Sequence, residues 1–124
     1  MISVRYIVND VDAAIAFYRD LLGFRVDLHP APVFAMLSRG ELRLLLAAPG
    51  GQGGGSQSMP DGRSPEPGGW NRFQIEVSGL AGEVERLREA GVRLGNDTVH
   101  GIGGDQILLE DPAGNPVELF EPGS

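Results

Sequence analysis

The sequence predicts an α+β protein built from two tandem βαβββ modules, and three observations carry that prediction. The chain is written twice: Ile2–Val8, a helix-like Val11–Leu22 and Gly23-Phe24-Arg25-Val26 recur as Asn71–Val77, Leu80–Ala90 and Gly91-Val92-Arg93-Leu94. Each copy passes from the period-2 alternation of a strand to the spacing of a helix and back. A stretch rich in Gly, Ser and Pro separates the copies. Half-domains this small cannot each close a core, so they are expected to pack as one domain, residues 1–124, with a cleft between equivalent positions. The expected boundaries are a module at 1–49, a loop at 50–69 and a module at 70–124.

In Ile2 to Val8, the residues Ile2, Val4, Tyr6 and Val8 alternate with Ser3 and Arg5, which marks a strand with one buried face. Asp10 or Asp12 is placed to cap the next helix, whose apolar stripe of Val11, Ala14, Ile15, Tyr18, Leu21 and Leu22 ends at Gly23. Phe24–Leu28, Val33–Ser38 and Glu41–Ala48 read as three more strands, the last two joined at Arg39-Gly40. In the second copy, Arg72–Val77 is a strand with Phe73, Ile75 and Val77 inward, and Leu80–Ala90 is a helix stopped by Gly91. Val92–Val99, Gln106–Glu110 and Pro116–Glu121 complete the order, with the faces of Leu108 and Leu109 left open. Pro49–Gly69 reads as irregular surface chain that orders over a bound ligand. Its Gly51–Gly55 run reads as linker rather than a phosphate cradle, because no Lys-Ser/Thr and no helix follow it.

Composition removes whole classes of function. The 124 residues carry no cysteine, so disulfides, thiolate nucleophiles and Cys-ligated zinc are excluded. All ten basic residues are arginine, which removes Schiff-base chemistry and a P-loop lysine. A net charge of −7 argues against nucleic acid and suits a cationic ligand. No apolar run is long enough to span a bilayer and no basic-then-apolar leader opens the chain, so the expectation is a cytoplasmic protein without a membrane partner. No Gly-x-Ser-x-Gly elbow supports a Ser-His-Asp set, and no catalytic residue is assigned.

Val8-Asn-Asp10, Ala14–Phe24, Leu87-Arg-Glu-Ala-Gly91-Val92 and Glu110–Leu119 together resemble the vicinal oxygen chelate superfamily, which includes glyoxalase I, extradiol dioxygenases, fosfomycin-modifying enzymes and bleomycin-binding resistance proteins. The resemblance covers nearly the whole chain apart from the loop. It implies paired βαβββ modules curling into a cup, usually within a homodimer. It also implies four cup-facing positions, on the first and last strand of each module, that hold a divalent metal in the family's enzymes.

Here those positions fall on Ser3, Leu45, Arg72 and Glu118. A catalytic divalent ion needs about three ligands from His, Asp or Glu, and only Glu118 qualifies. Arg72 would oppose a cation and is expected to pair with Glu118. His29 and His100 read as exposed loop-edge residues. The expectation is therefore no metal and no cofactor. The expected ligand-binding set is Phe34, Met36 and Leu45 on an apolar half, with Trp70, Arg72, Gln74, Glu118 and Phe120 on a polar half that also holds Glu76. Trp70 either stacks on a planar ligand or pins the loop. The functional expectation is a metal-free binder of the bleomycin-resistance type, sequestering an aromatic or cationic small molecule in a dimer cleft. The alternative is a metal-dependent glyoxalase-like lyase, isomerase or dioxygenase with Glu118 as one ligand.

Overall fold

The computed structural model describes residues 1–50 and 54–123. Residues 51–53, within the Gly51–Gly55 run weighed above as a phosphate cradle, and Ser124 lie outside the described residues. The chain forms two four-stranded sheets and two helices and divides into two compact units. The first comprises Met1–Gly68 with Pro112–Asn115, and the second Gly69–Asp111 with Pro116–Ser124.

The first unit contains strands β1 (Ser3–Ile7), β2 (Arg25–Ala31), β3 (Phe34–Arg39) and β4 (Leu42–Ala47), in the spatial order β1-β4-β3-β2, and helix α1 (Val11–Ala16). Strands β1 and β4 run parallel, and the other neighbours are antiparallel. Of the two expected caps, Asp10 is the one used: its backbone is extended and its carboxylate accepts from the Ala13 N–H at 3.0 Å. Helix α1 packs on β3 and β4. Tyr6, Val8, Ile15, Tyr18, Leu37, Leu44 and Leu46 are buried there. Each such aliphatic side chain contributes roughly 1.5–3 kcal/mol.

Three expectations are corrected in this unit. Ile2 lies outside β1 and is exposed, because the strand begins at Ser3. The helix is not regular to Leu22: Phe17–Leu21 form a π-turn, and this wider turn accompanies the burial of two consecutive rings, Phe17 and Tyr18, edge to face at 4.9 Å. The β3–β4 turn is Gly40-Glu41 rather than Arg39-Gly40, so Ser38 pairs with Arg43 and Met36 with Leu45, in place of the expected Ser38–Glu41 and Phe34–Leu45. Gly40 takes a φ of 57°, and a two-residue hairpin needs such a residue at its first central position. The displacement is two positions, so every side chain keeps its expected face.

The second unit contains β5 (Gln74–Glu76), β6 (Val99–His100), β7 (Gly104–Glu110) and β8 (Pro116–Pro122), in the order β5-β8-β7-β6, and helix α2 (Leu80–Glu89). Ile75, Leu80, Val84, Leu87, Ile107, Leu109, Val117 and Leu119 form its core. Arg72 and Phe73 precede β5, which is shorter than expected. The expected strand Val92–Val99 is largely absent: Leu94 makes a single bridge to Leu109, and strand pairing resumes only at Val99. The Asn96 side chain accepts from the Leu108 N–H at 2.9 Å, taking a ladder position that backbone would otherwise fill. The register also settles the two open leucines. Leu109 is core, and Leu108 stands beside Glu118 on the opposite face.

The loop between the modules is less irregular than expected. Gly54–Ser56 form a 3-10 turn with Ser56 buried, and Ser56 accepts through its carbonyl from the Gly50 N–H at 2.9 Å. Further on, Asp61 accepts from both the backbone and the side chain of Arg63, and the Ser58 and Ser64 hydroxyls meet at 2.8 Å. Asn115, in the tight turn between β7 and β8, donates to the Ile7 carbonyl at 2.8 Å and accepts from the Gly68 N–H at 2.7 Å. Among the described residues, no helix is long and apolar enough to cross a membrane.

Candidate functional site

Each sheet presents a face turned away from its helix, and the candidate residues divide between these two faces. On the first sheet the register lays out three rows: Arg25, Ser38, Arg43 and Ser3; then Leu28, Met36, Leu45 and Arg5; then Ala31, Phe34, Ala47 and Ile7. Phe34, Met36 and Leu45 thus share a face as parity predicts, each half-buried, while Leu37, Leu44 and Leu46 point to the core. A bulge at Asp27 brings its carboxylate to the first row, where it accepts from Arg25 Nε at 2.7 Å. The Ser38 hydroxyl is the larger cause holding the Asp27 carboxyl below its ordinary range, with Arg25 adding to it.

On the second sheet, Gln74 pairs with Glu118 and Glu76 with Phe120, so these four share one face with Leu108 and Gln106. Arg72 reaches over from the approach to β5. Its Nε and Nη2 donate to Glu118 Oε1 at 3.1 and 3.0 Å, and Gln74 Nε2 donates to Glu118 Oε2 at 2.5 Å. The Glu118 side chain is only 9% exposed and that of Arg72 27%. The expected Arg72–Glu118 pair is therefore formed, and both carboxylate oxygens are engaged, as a nearly buried charge requires. Trp70 shows 82% of its surface, so its ring does not pin the loop by burial. Its carbonyl accepts from Arg72 Nη1 at 3.2 Å.

The residues at the four chelating positions do not fit a divalent cation. Ser3 opens β1 opposite Arg43, Leu45 offers only an isobutyl group, and Arg72 carries a positive charge bonded to the single carboxylate, Glu118. A metal at Glu118 would have to displace that guanidinium and then sit beside it, at a cost of several kcal/mol even at an intermediate dielectric. The histidines are engaged elsewhere: His29 lies 3.7 Å from Asp12, and His100 Nδ1 lies 2.8 Å from Asp105. Among the described residues, no three His, Cys, Asp or Glu side chains are grouped to hold a metal.

Two residues on these faces were missed in the sequence. Leu108 needed the hairpin register. Arg5 could have been found from the repeat, because the shift of 69 that carries Ser3 to Arg72 also carries Arg5 to Gln74.

A search of curated proteins finds no match. Among solved structures, a lactoylglutathione lyase from Agrobacterium tumefaciens is similar with a TM-score of 0.74 and 24% identity, over 98% of this chain and 92% of that one. TnmS3, an antibiotic binding protein from Streptomyces sp. CB03234, is similar with a TM-score of 0.73 and 21% identity, over 98% and 93%. A glyoxalase/bleomycin resistance protein/dioxygenase superfamily member from Sphaerobacter thermophilus DSM 20745 gives 0.74 and 25%, over 96% and 94%. The first two identities are low enough that those likenesses establish the fold alone. The family model for the Glyoxalase/Bleomycin resistance protein/Dioxygenase superfamily matches residues 2–119, and with the two βαβββ halves described above it places the chain in that superfamily.

Proposed function

We propose that this chain is a metal-free small-molecule binding protein, working as a homodimer and holding an aromatic ligand against the apolar face of the first sheet. The observation that carries this reading is Glu118: the one carboxylate among the four chelating positions has both oxygens occupied by Arg72 and Gln74. A side chain so engaged serves as a structural pair rather than as a metal ligand or a general base. The half-buried Phe34, Met36 and Leu45 offer the apolar wall that small-molecule sites use, with few polar groups around it. The fold shared with TnmS3 is consistent with sequestration of this kind, and the fold shared with the lyase is equally compatible with chemistry; the donor set is what favours the binding reading here. The cationic alternative drew on Glu118, Glu76 and the net charge of −7. With Glu118 neutralised by Arg72, Glu76 is the one acidic side chain of that set left exposed, and the aromatic reading is preferred.

The test is metal content of protein purified without chelator, followed by titration with Ni²⁺, Zn²⁺ and Fe²⁺. The expected outcome is substoichiometric metal and no saturable uptake. Stoichiometric metal that is lost in Glu118→Ala would establish the lyase or dioxygenase reading instead. In parallel, saturable tryptophan quenching by glycopeptide or enediyne-type drugs without added metal is expected, and its absence across a broad aromatic panel removes the binding function.

A further inference from the structure

The two halves treat equivalent positions differently, and the difference leaves one charge without a partner among the described residues. In the second half, Gln74 pairs with Glu118, and the neighbouring cation, Arg72, is satisfied by that carboxylate. In the first half the same register pairs Arg5 with Leu45, so a cation stands where Gln74 stands and an isobutyl group stands where Glu118 stands. The Arg5 side chain is exposed and makes no hydrogen bond or ion pair to any described residue. It is held in place from one side: the guanidinium lies against Gly55 of the 3-10 turn, so closely that a Cβ at Gly55 would fall on it. Leu45 and Met36 follow Arg5 across the sheet in the same row, and Phe34 lies in the next. A planar cation at the end of an apolar row is complementary to a flat apolar molecule that ends in an acid.

We propose that Arg5 is the receptor for an anionic group, a carboxylate, sulfonate or phosphonate, on an aromatic ligand whose apolar body lies along Leu45, Met36 and Phe34. This rests on the binding reading above and names the class of molecule bound. The nearby Arg25 and Arg43 do not share the role, because both face the Asp27 carboxylate. The absence of a side chain at Gly55 is what lets the guanidinium take its position.

Two probes separate the contributions: anilinonaphthalene sulfonate, and N-phenylnaphthylamine, which has the same aromatic body without the acid. Fluorescence titration of the full chain is expected to show the sulfonate bound about tenfold or more tighter than the neutral amine, the scale of one charge-assisted hydrogen bond. Arg5→Gln should weaken the sulfonate by about tenfold and leave the amine unchanged. Gly55→Ala, which keeps the charge but occupies the place of the guanidinium, should weaken the sulfonate in the same direction and also spare the amine. Arg43→Gln should leave both within about twofold, a change of roughly 0.4 kcal/mol. Equal affinity for the two probes, or a sulfonate affinity indifferent to Arg5→Gln, overturns the proposal while leaving the binding reading intact. Equal weakening by Arg43→Gln assigns the attraction to the charge of the whole face and also overturns it. No saturable binding of either probe defeats the binding reading itself.

Discussion

At the scale of single residues, the faces of this protein are decided by which charges find partners. Glu118 shows what a nearly buried carboxylate needs, with hydrogen bonds on both oxygens. Its pair with Arg72 was legible from the repeat, because the shift that locates Arg72 also locates the strand beside Glu118. The Asp27 site was not legible, since it depends on a bulge that no local pattern announces. Asp27 titrates below the ordinary carboxylate range because the Ser38 hydroxyl donates to its ionised form, with Arg25 beside it. The folded state therefore favours the carboxylate, so the stabilisation is present in full above the ordinary value and is lost as pH falls through the lower folded value. Ser38→Ala is expected to move the Asp27 titration upward, followed by carboxyl carbon NMR. A titration that stays put would take the effect away from Ser38.

At the scale of elements, parity proved more legible than partnership. The alternation of Phe34, Met36 and Leu45 fixed their face correctly even though the hairpin register was displaced, because a displacement of two residues preserves the face and changes only the neighbour. The stretch Val92–Val99 failed for a different reason. Val92 and Leu94 begin an alternation, but Asn96 supplies a side-chain acceptor that competes with strand backbone. Helix α2 shows a similar dependence on distant chain. Gly79 at its start has no side chain to cap it, and Glu121 at the end of β8 accepts from the Gly79 and Leu80 N–H groups instead. Loss of an N-cap acceptor costs about 1 kcal/mol. Glu121→Ala is accordingly expected to lower the urea midpoint without changing the slope, while Glu121→Gln retains most of the stability. A midpoint unchanged in Glu121→Ala would show that water replaces the cap at no cost.

For the whole molecule, the duplication was the strongest signal in the sequence, and it carried the fold class and the βαβββ order of each half. What it could not carry is how the turn between β7 and β8 is used. Pro112–Asn115 fall within the second repeat yet belong to the first compact unit, where Asn115 joins the end of β1 to the end of the loop. Asn115 is buried, so Asn115→Ala leaves the Ile7 carbonyl and the Gly68 N–H without their partner and is expected to cost about 2–3 kcal/mol. Chemical denaturation checks this, and a loss below about 0.5 kcal/mol, the low end for a net hydrogen bond, would show the turn to be dispensable. The π-turn at Phe17–Leu21 has a consequence of another kind. A turn closed by i→i+5 instead of i→i+4 hydrogen bonds holds a spare residue relative to an α-helical path. This is the point in the first half where the chain can shorten by one without shifting the strands on either side, and so where insertions and deletions among homologues should collect.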